Sequence, residues 1–229
     1  MKSRARYEDV KSVIIDFDSV ICGCESMDLL FEELLRGETE TSRQSIIAEV
    51  QRITRAGMEG EIGFAESLSS RLKLVPPRPF DLQAVVKRIK ESLSATFVAN
   101  YPHWDPSKIS VISSGFRQLI GPPLTEIGMP PERIHCNSLV IDENGIIKGV
   151  ETDSPLCRDR GKVEVAGALA LPRKIIMIGD GHTDWQVAES GQADYFFGYA
   201  EHVRRESVLE RADEILADFD QLANLVDLT

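Results

Sequence analysis

Two short acidic motifs each follow an apolar run, and this arrangement constrains the fold more than any other feature of the chain. The sequence DFD at 16–18 follows the run SVII at 12–15, and GDGHTD at 179–184 follows IIMI at 175–178. A short apolar run that stops at clustered carboxylates is typical of a buried parallel strand. In open α/β sheets, ligands bind at the carboxyl ends of such strands. The pattern therefore predicts a doubly wound, mostly parallel α/β sheet with a ligand site at this edge.

The carboxylates of the two motifs also predict a metal ion. Asp16, Asp18, Asp180 and Asp184 would converge at one edge of the sheet. Like charges at such short range repel one another unless a divalent cation lies between them. Oxygen-only ligands favour a hard cation, and Mg²⁺ is the leading candidate.

The composition excludes several classes of protein. The chain has 229 residues and a formal net charge of -11, which disfavours binding to nucleic acid or to anionic membranes. The segment 1–11 is polar and does not resemble a signal peptide. No apolar run approaches the roughly 18 residues of a membrane span. We expect a cytoplasmic protein without a membrane or nucleic-acid partner, and the sequence leaves a homodimer open.

The four cysteines do not suggest a metal site or a disulfide framework. Cys22 and Cys24 have C-x-C spacing, which differs from the usual spacing of zinc ligands, and no histidine lies near them in the sequence. Together with Cys136 and Cys157 they are few for a secreted scaffold of this length. We expect structural or incidental thiols.

A long helical stretch separates the first predicted strand from the second. The predicted helices of this stretch begin near Glu25, at Thr41, at Phe64 and after Asp81. A crossover between parallel strands needs only about a dozen residues, including its helix. The excess predicts a helical cap at 20–94, inserted after the first strand of an α/β core that comprises 1–19 and 95–229.

The rest of the chain alternates between strand and helix patterns. Strands are predicted at 109–112, 133–136, 175–178, 194–198 and 214–216, and helices at 118–127, 163–171 and 185–190. The segments 138–141 and 146–150 have the pattern of a β-hairpin, because the Asn144-Gly145 turn between them adopts positive φ at little cost.

Two further motifs complete an ordered set. Ser113, Ser114 and Gly115 follow the second core strand, and Lys162 lies near the start of a later helix. In this order the chain resembles the haloacid dehalogenase superfamily of phosphohydrolases, whose four motifs are an Asp-x-Asp, a Ser or Thr, a Lys and an acidic pair. The resemblance spans nearly the whole chain. It implies a Rossmann-like core with a helical-bundle cap and a Mg²⁺-dependent phosphomonoesterase.

The resemblance implies a role for each acidic residue of the first motif. Asp16 would be the nucleophile and form an aspartyl-phosphate. Asp18 would protonate the leaving alkoxide and then deprotonate the attacking water. Asp180, one oxygen of Asp16 and the backbone carbonyl of Asp18 would hold Mg²⁺.

The remaining motif residues would support the transferred phosphoryl group. Ser113 would donate a hydrogen bond to one phosphoryl oxygen, and Lys162 would neutralise another while restraining the nucleophile. Asp184, which follows Gly181 in the second motif, would anchor the lysine or a metal-bound water. Arg160 competes with Lys162 for the cationic position, and we favour Lys162 because an ammonium is a compact point charge.

The predicted cap resembles that of phosphoserine phosphatases. In that family a Glu just after the first motif pairs with the substrate ammonium, and an Arg of the cap binds the carboxylate, with a Met and a Phe nearby. The positions that match this pattern are Glu25, Met58, Phe64 and Arg71, and the two residues after Ser113, Ser114 and Gly115, are further substrate-binding candidates. The resemblance implies O-phosphoserine as the substrate, a small phosphorylated metabolite as the only partner, and a place in serine biosynthesis.

Alternatives remain at the substrate-binding positions. Val20 and Ser114 stand where the family usually has Thr and Gly, and the segment 101–106 has no recognised counterpart. Arg71 could be a solvated helical residue, and Met58 and Phe64 could be ordinary core residues. The alternative functions are a phosphatase for another small metabolite (a phosphorylated amine or a methionine-salvage intermediate), a phosphotransferase to an acceptor alcohol, and a non-catalytic phosphometabolite-binding module.

Overall fold

The described part of the chain forms eight strands, six of which make one sheet. The computed structural model describes residues 7–59 and 61–229, without the side chains of residues 58, 59, 64 and 65. The strands are β1 (Ser12–Ile15), β2 (Ile109–Phe116), β3 (Ile134–Asn137), β4 (Leu139–Ile141), β5 (Ile147–Val150), β6 (Ile175–Gly179), β7 (Tyr195–Tyr199) and β8 (Glu214–Leu216).

The helices lie between these strands and after the last one. They are α1 (Ser26–Leu34), α2 (Glu40–Glu59), α3 (Phe64–Leu74), α4 (Leu82–Glu91), α5 (Ala95–Asn100), α6 (Arg117–Glu126), α7 (Gly161–Ala168), α8 (His182–Glu189), α9 (Glu206–Leu209) and α10 (Phe219–Leu225). None of these described helices is long and apolar enough to cross a lipid bilayer.

The large sheet is parallel, with the strand order β3-β2-β1-β6-β7-β8. The chain therefore builds outward in both directions from β1 and β6, which are neighbours. Their register sets Ile15 opposite Ile178, so both acidic motifs leave the sheet at the same edge. This edge is the topological switch point at which open α/β sheets bind ligands. The predicted doubly wound α/β fold is confirmed.

Both central strands are almost entirely apolar because both faces of the sheet are covered. Val13, Ile15 and Ile176 belong to one buried cluster, and Ile14 and Met177 belong to a second cluster on the opposite face. Side chains alternate between the two faces of a strand, so a strand covered on both sides needs an unbroken apolar run.

Helices α1 to α4 occupy the long stretch between β1 and β2. Helices α1 and α4 pack on each other. In addition, α1 contacts β2 and α4 contacts α6. Helices α2 and α3 pack as a separate pair. Helix α2 also contacts α8, which follows the second acidic motif. Asp81 caps α4 by accepting a hydrogen bond from the Ala84 backbone N–H at 3.0 Å. The α2–α3 pair therefore stands over the carboxyl edge of the sheet, and the division into core and cap stays a prediction.

The second core strand extends further than predicted. Ser113, Ser114 and Gly115 lie within β2, and the pairing with β3 is irregular between Ile112 and Phe116. The prediction that these three residues follow the strand was therefore wrong. The reason is that β2 has neighbours on both sides, so the ladder accommodates these small residues through an irregularity instead of ending.

The segment 101–106, which has no recognised family counterpart, packs the carboxyl terminus onto the core. The rings of Phe97, Tyr101, Trp104 and Phe219 contact one another, with centroid distances between 4.9 and 6.4 Å. The Asp105 backbone N–H also donates to the carbonyl of Leu228 at 2.6 Å. These contacts hold α5 and α10 together, and neither helix was predicted from the sequence.

The predicted hairpin is present as β4 and β5, which pair in antiparallel fashion. Gly145 has a φ of 75°, and the Asp142 carboxylate accepts hydrogen bonds from the backbone N–H groups of Asn144 and Ile146, each at 2.9 Å. Turn chemistry alone was sufficient for this prediction.

Candidate active site

A cavity of about 140 Å³ opens where β1, β2 and β6 end. It brings together every predicted site residue whose side chain is described. Those residues are Asp16, Asp18, Glu25, Arg71, Ser113, Ser114, Gly115, Lys162, Asp180, Gly181 and Asp184. The predictions for Met58 and Phe64 concern side chains outside the described part of the chain.

Lys162 joins two carboxylates at the floor of this cavity. Its Nζ lies 2.8 Å from Asp16 Oδ1 and 2.7 Å from Asp184 Oδ1, and all three side chains are buried. Burial alone would lower the pKa of Lys162, but the two carboxylates raise it above its ordinary value. Arg160 is exposed just before α7, so Lys162 occupies the position for which the two cations competed.

The two glycines of the second motif let Asp184 fold back against the end of β6. The Gly181 backbone N–H donates to Asp184 Oδ2 at 3.0 Å. A Cβ added at Gly179 would lie only 2.2 Å from Asp184 Cγ, so no larger residue fits there without a rearrangement. Burial and the charge of Asp16 raise the pKa of Asp184, against the effect of Lys162. Asp184 therefore positions the lysine from the start of α8.

Asp16 is fixed by the neighbouring strand and by its own turn. Its backbone N–H donates to the carbonyl of Ile178 at 2.9 Å. The Phe17 backbone N–H donates to Asp16 Oδ1 at 2.7 Å, the same oxygen that contacts Lys162. Two donors thus hold one oxygen of a carboxylate that reaches into the cavity.

Asp18 has the environment of a proton donor. Its Oδ1 accepts a hydrogen bond from the Ser26 backbone N–H at 2.6 Å. Burial, and next the charge of Glu25, raise the pKa of Asp18 well above its ordinary value. A Cβ at Gly115 would lie 3.2 Å from both Asp18 Oδ2 and Ser113 Oγ, so the glycine permits this close approach. Asp18 therefore holds its proton more tightly than an ordinary carboxyl, and the charge of Asp16 acts in the same direction.

Three buried carboxylates are placed to hold a cation. Asp16, Asp180 and Asp184 each offer an oxygen, and these oxygens lie within 4.8 Å of one another. Both oxygens of Asp184 already accept hydrogen bonds, Oδ1 from Lys162 and Oδ2 from the Gly181 backbone N–H, whereas these contacts engage only Oδ1 of Asp16. Asp16 and Asp180 are therefore better placed than Asp184 to bind a metal. The oxygen-only donor set fits a hard divalent cation. The Asp18 side chain is outside this group, in keeping with a contribution through its backbone carbonyl.

Arg205 is a residue of the cavity that sequence reasoning missed. Its guanidinium forms an ion pair with Asp180, and its Nη2 lies 4.0 Å from Glu25 Oε1. It follows β7, whose carboxyl end lies at the same sheet edge as those of β1 and β6. That position was the available signal, because residues after each parallel strand meet at one edge.

Arg71 lies buried in the wall formed by α2 and α3. Its Nε donates to the carbonyl of Ser67 at 3.3 Å, and its Nη1 donates to Thr54 Oγ1 at 3.2 Å. Burial lowers the pKa of Arg71, and the charges of Asp28 and Glu25 oppose that decrease. Both hydrogen-bond acceptors are neutral, so the guanidinium retains its charge for another partner. Neither Thr54 nor Ser67 was predicted, and the contact of Thr54 depends on how the two helices pack.

Glu25 provides the opposite charge in the same cavity. Its Oε1 accepts a hydrogen bond from Ser19 Oγ at 2.7 Å, and Ser19 itself has a φ of 58°. Besides Arg205, the cavity therefore presents the anionic Glu25 and the cationic Arg71 together with the buried acidic cluster.

Comparisons with known proteins identify the family of the chain. No protein-family model matches the chain. A chloroplastic phosphoserine phosphatase from Arabidopsis thaliana is 30% identical, over 96% of this chain and 73% of its own length. A phosphoserine phosphatase from Drosophila melanogaster is 32% identical, over 92% of this chain and 76% of its own length.

Solved structures show the same architecture. A phosphoserine phosphohydrolase-like protein from Francisella tularensis has a TM-score of 0.79 and 27% identity, and the match covers 94% of this chain and 99% of that one. A phosphoserine phosphatase with a phospho-aspartyl intermediate analogue has a TM-score of 0.75, with 20% identity over 96% of this chain and all of that one, and supports the fold alone. The chain belongs to the phosphoserine phosphatase family of haloacid dehalogenase-type phosphatases.

Proposed function

We propose that this phosphatase hydrolyses O-phosphoserine to serine and phosphate through an aspartyl-phosphate on Asp16, with Mg²⁺ as its cofactor. One observation carries the proposal: a single cavity joins the buried ion pair of Asp16 and Lys162 to the opposite charges of Glu25 and Arg71. The first pair suits phosphoryl transfer, and the second suits a zwitterion. The names of the relatives support the same substrate.

The transfer begins with attack of Asp16 on phosphorus. Lys162 holds the carboxylate in place and offsets the charge of a phosphoryl oxygen, and Ser113, whose side chain is buried at the end of β2, donates to another. The raised pKa of Asp18 keeps a proton available for the departing serine oxygen. The same residue then takes a proton from the water that cleaves the aspartyl-phosphate.

The metal would be held by Asp16, Asp180 and the backbone carbonyl of Asp18. When bound, it would shield the phosphate from the carboxylates and stabilise charge that develops during transfer. Serine as the product would place the enzyme in serine biosynthesis.

Substrate recognition rests on the charges of Arg71 and Glu25 in the same cavity. The planar guanidinium of Arg71 can bind a carboxylate with two hydrogen bonds, and Thr54 and Ser67 hold it in place. Glu25 would pair with the substrate ammonium. A substrate lacking either charge would leave one of these groups without its partner, at a cost in transition-state binding.

The test compares phosphoserine with phosphoethanolamine, which lacks the carboxylate. We expect Mg²⁺-dependent turnover that EDTA abolishes, and Arg71→Met should lower kcat/KM for phosphoserine by about 10- to 100-fold, the value of a charged hydrogen bond. The same variant should change kcat/KM for phosphoethanolamine little. The control Arg52→Met removes an exposed guanidinium that pairs with Glu49.

The result decides the substrate separately from the chemistry. An equal decrease in the kcat/KM of Arg71→Met for phosphoserine and for phosphoethanolamine would refute carboxylate binding by Arg71. Turnover of a generic aryl phosphate, with neither of these compounds accepted, would retain the phosphatase and reject phosphoserine.

A further inference from the structure

Two thiols lie side by side directly after the first acidic motif. The Sγ atoms of Cys22 and Cys24 are 3.0 Å apart, both cysteines are free, and only Gly23 separates them in the chain. A disulfide needs a sulfur–sulfur distance of about 2.05 Å, so closure requires a movement of about 1 Å. Neither thiol takes part in the hydrolysis proposed above.

The two cysteines differ in how tightly they are held. Cys22 is fully buried, and its backbone N–H donates to the carbonyl of Phe17 at 3.0 Å. The Gly23 N–H donates to the carbonyl of Ser92 at 2.8 Å, which fixes the turn from the other side. Cys24 is half-buried, and Gly23 beside it is exposed. Cys24 is therefore the sulfur that a small molecule can reach, and Cys22 is the fixed sulfur behind it.

We propose that Cys22 and Cys24 are a redox-active pair that closes reversibly to a disulfide, with a low-molecular-weight disulfide such as oxidised glutathione as the oxidant. The Cys24 thiolate attacks one sulfur of the small disulfide and releases one thiol. The Cys22 sulfur then attacks Cys24 Sγ in the mixed disulfide and expels the second thiol. Two protein thiols are oxidised, one small disulfide is reduced to two thiols, and the two protons pass to the released thiols.

The electrostatics agree with this order of attack. The hydrogen bond between the two sulfurs lowers the pKa of Cys24 below its ordinary value, and the same bond together with burial raises the pKa of Cys22. The thiolate is the attacking species in disulfide exchange. The more accessible sulfur is thus also the more readily ionised one.

Closure would reach the active site through the backbone. The carbonyl of Cys24 accepts a hydrogen bond from the Ser19 backbone N–H at 3.3 Å, and Glu25 is the next residue. Because Cys22 is held in place, the movement falls on Cys24 and displaces Glu25 in the cavity. Oxidation should therefore lower turnover. This effect rests on the proposed function, whereas disulfide formation does not.

Peptide mapping of the full chain tests disulfide formation. The protein is treated with oxidised glutathione, its remaining thiols are alkylated, and it is digested with trypsin. The tryptic peptide 12–36 contains Cys22 and Cys24 as its only cysteines, while Cys136 and Cys157 lie on other peptides and serve as internal controls. We expect peptide 12–36 to be two hydrogens lighter and without alkyl groups, until dithiothreitol restores both thiols. Full alkylation of this peptide, or a bond to Cys136 or Cys157, would overturn the proposal.

Single substitutions test the order of the two steps. Cys22→Ser should stop at a mixed disulfide between Cys24 and glutathione, and Cys24→Ser should gain no adduct. The reverse pattern would refute Cys24 as the attacking thiol. Circular dichroism of both variants establishes that the fold is intact.

Turnover measurements on the same samples test the regulatory consequence. The oxidised wild-type protein should lose most of its turnover and regain it on reduction, whereas Cys24→Ser should keep its activity in the oxidant. A mapped disulfide with unchanged turnover would refute control of the site. If no phosphomonoester is hydrolysed by the reduced protein, the proposed function fails, and peptide mapping still decides whether the redox pair exists.

Discussion

The guanidinium of Arg205 forms an ion pair with Asp180, the carboxylate proposed to hold Mg²⁺. A fixed positive charge next to a metal ligand opposes the binding of a divalent cation. Arg205 Nη2 also lies 4.0 Å from Glu25 Oε1, so the same side chain has a second anionic partner within reach. Metal binding and the position of Arg205 should therefore be coupled.

Removal of this charge should strengthen metal binding. We expect Arg205→Met to bind Mg²⁺ about tenfold more tightly, which corresponds to about 1.4 kcal/mol. Isothermal titration calorimetry measures the affinity directly. Arg204→Met is the matched control, because Arg204 is exposed and pairs with Glu206. Weaker binding in Arg205→Met would show that the guanidinium helps to assemble the site.

Lys162 should stabilise the fold as well as the reaction. Lys162→Met leaves the buried carboxylates of Asp16 and Asp184 without their shared cation, and we expect a loss of about 3–5 kcal/mol in the free energy of unfolding without metal. Urea unfolding measures the loss, and Mg²⁺ should recover part of it. Lys87→Met, which removes an exposed pair with Glu91, should change stability by less than about 1 kcal/mol. Equal effects of the two substitutions would contradict this account of the buried pair.

Asp28 should make stability depend on pH. Burial, and next the charge of Glu25, raise the pKa of Asp28 from 3.8 to about 6. Between these values the folded state binds more protons than the unfolded state. The protonated Asp28 side chain therefore contributes fully to the stability of the fold below about pH 4, and this contribution is lost as the pH rises through about 6.

The variant Asp28→Asn cannot ionise and tests this dependence. Relative to the wild type, it should gain about 1–2 kcal/mol of stability between pH 4 and pH 7, a value reduced for the partial exposure of the side chain. Denaturant unfolding at several pH values measures the difference. The control Glu66→Gln removes an exposed carboxylate on α3, and its stability relative to the wild type should not change with pH in this way. If the free energies of unfolding of Asp28→Asn and the wild type differ by the same amount at every pH, the raised pKa of Asp28 is ruled out.

The sequence was sufficient to predict the site residues that follow the two central strands. Asp16 and Asp180 follow apolar runs, and two such runs in an α/β pattern place their ends at one edge. The glycine that lets Asp184 fold back is likewise part of a recognisable motif. These features depend on local order along the chain and on one general property of parallel sheets.

Other parts of the site depend on tertiary packing that local patterns do not encode. Arg205 reaches Asp180 only because β7 lies beside β6, and nothing in its immediate sequence distinguishes it from Arg204. Thr54 binds Arg71 because α2 and α3 pack as a pair. Helix α5 was missed for the same reason, since its six residues are stabilised by the aromatic contacts of Phe97.

Chemical trapping of the aspartyl-phosphate tests the central claim most directly. The enzyme is quenched in acid during turnover of phosphoserine with Mg²⁺ and is then reduced with borohydride. Borohydride converts an acyl phosphate of aspartate to homoserine. The reduced protein is digested with trypsin, and its peptides are mapped. The account predicts homoserine at position 16 within peptide 12–36, and no homoserine in the Asp16→Asn variant, which should be folded and inactive. Homoserine at Asp18 or Asp180, or continued turnover by Asp16→Asn, would contradict it.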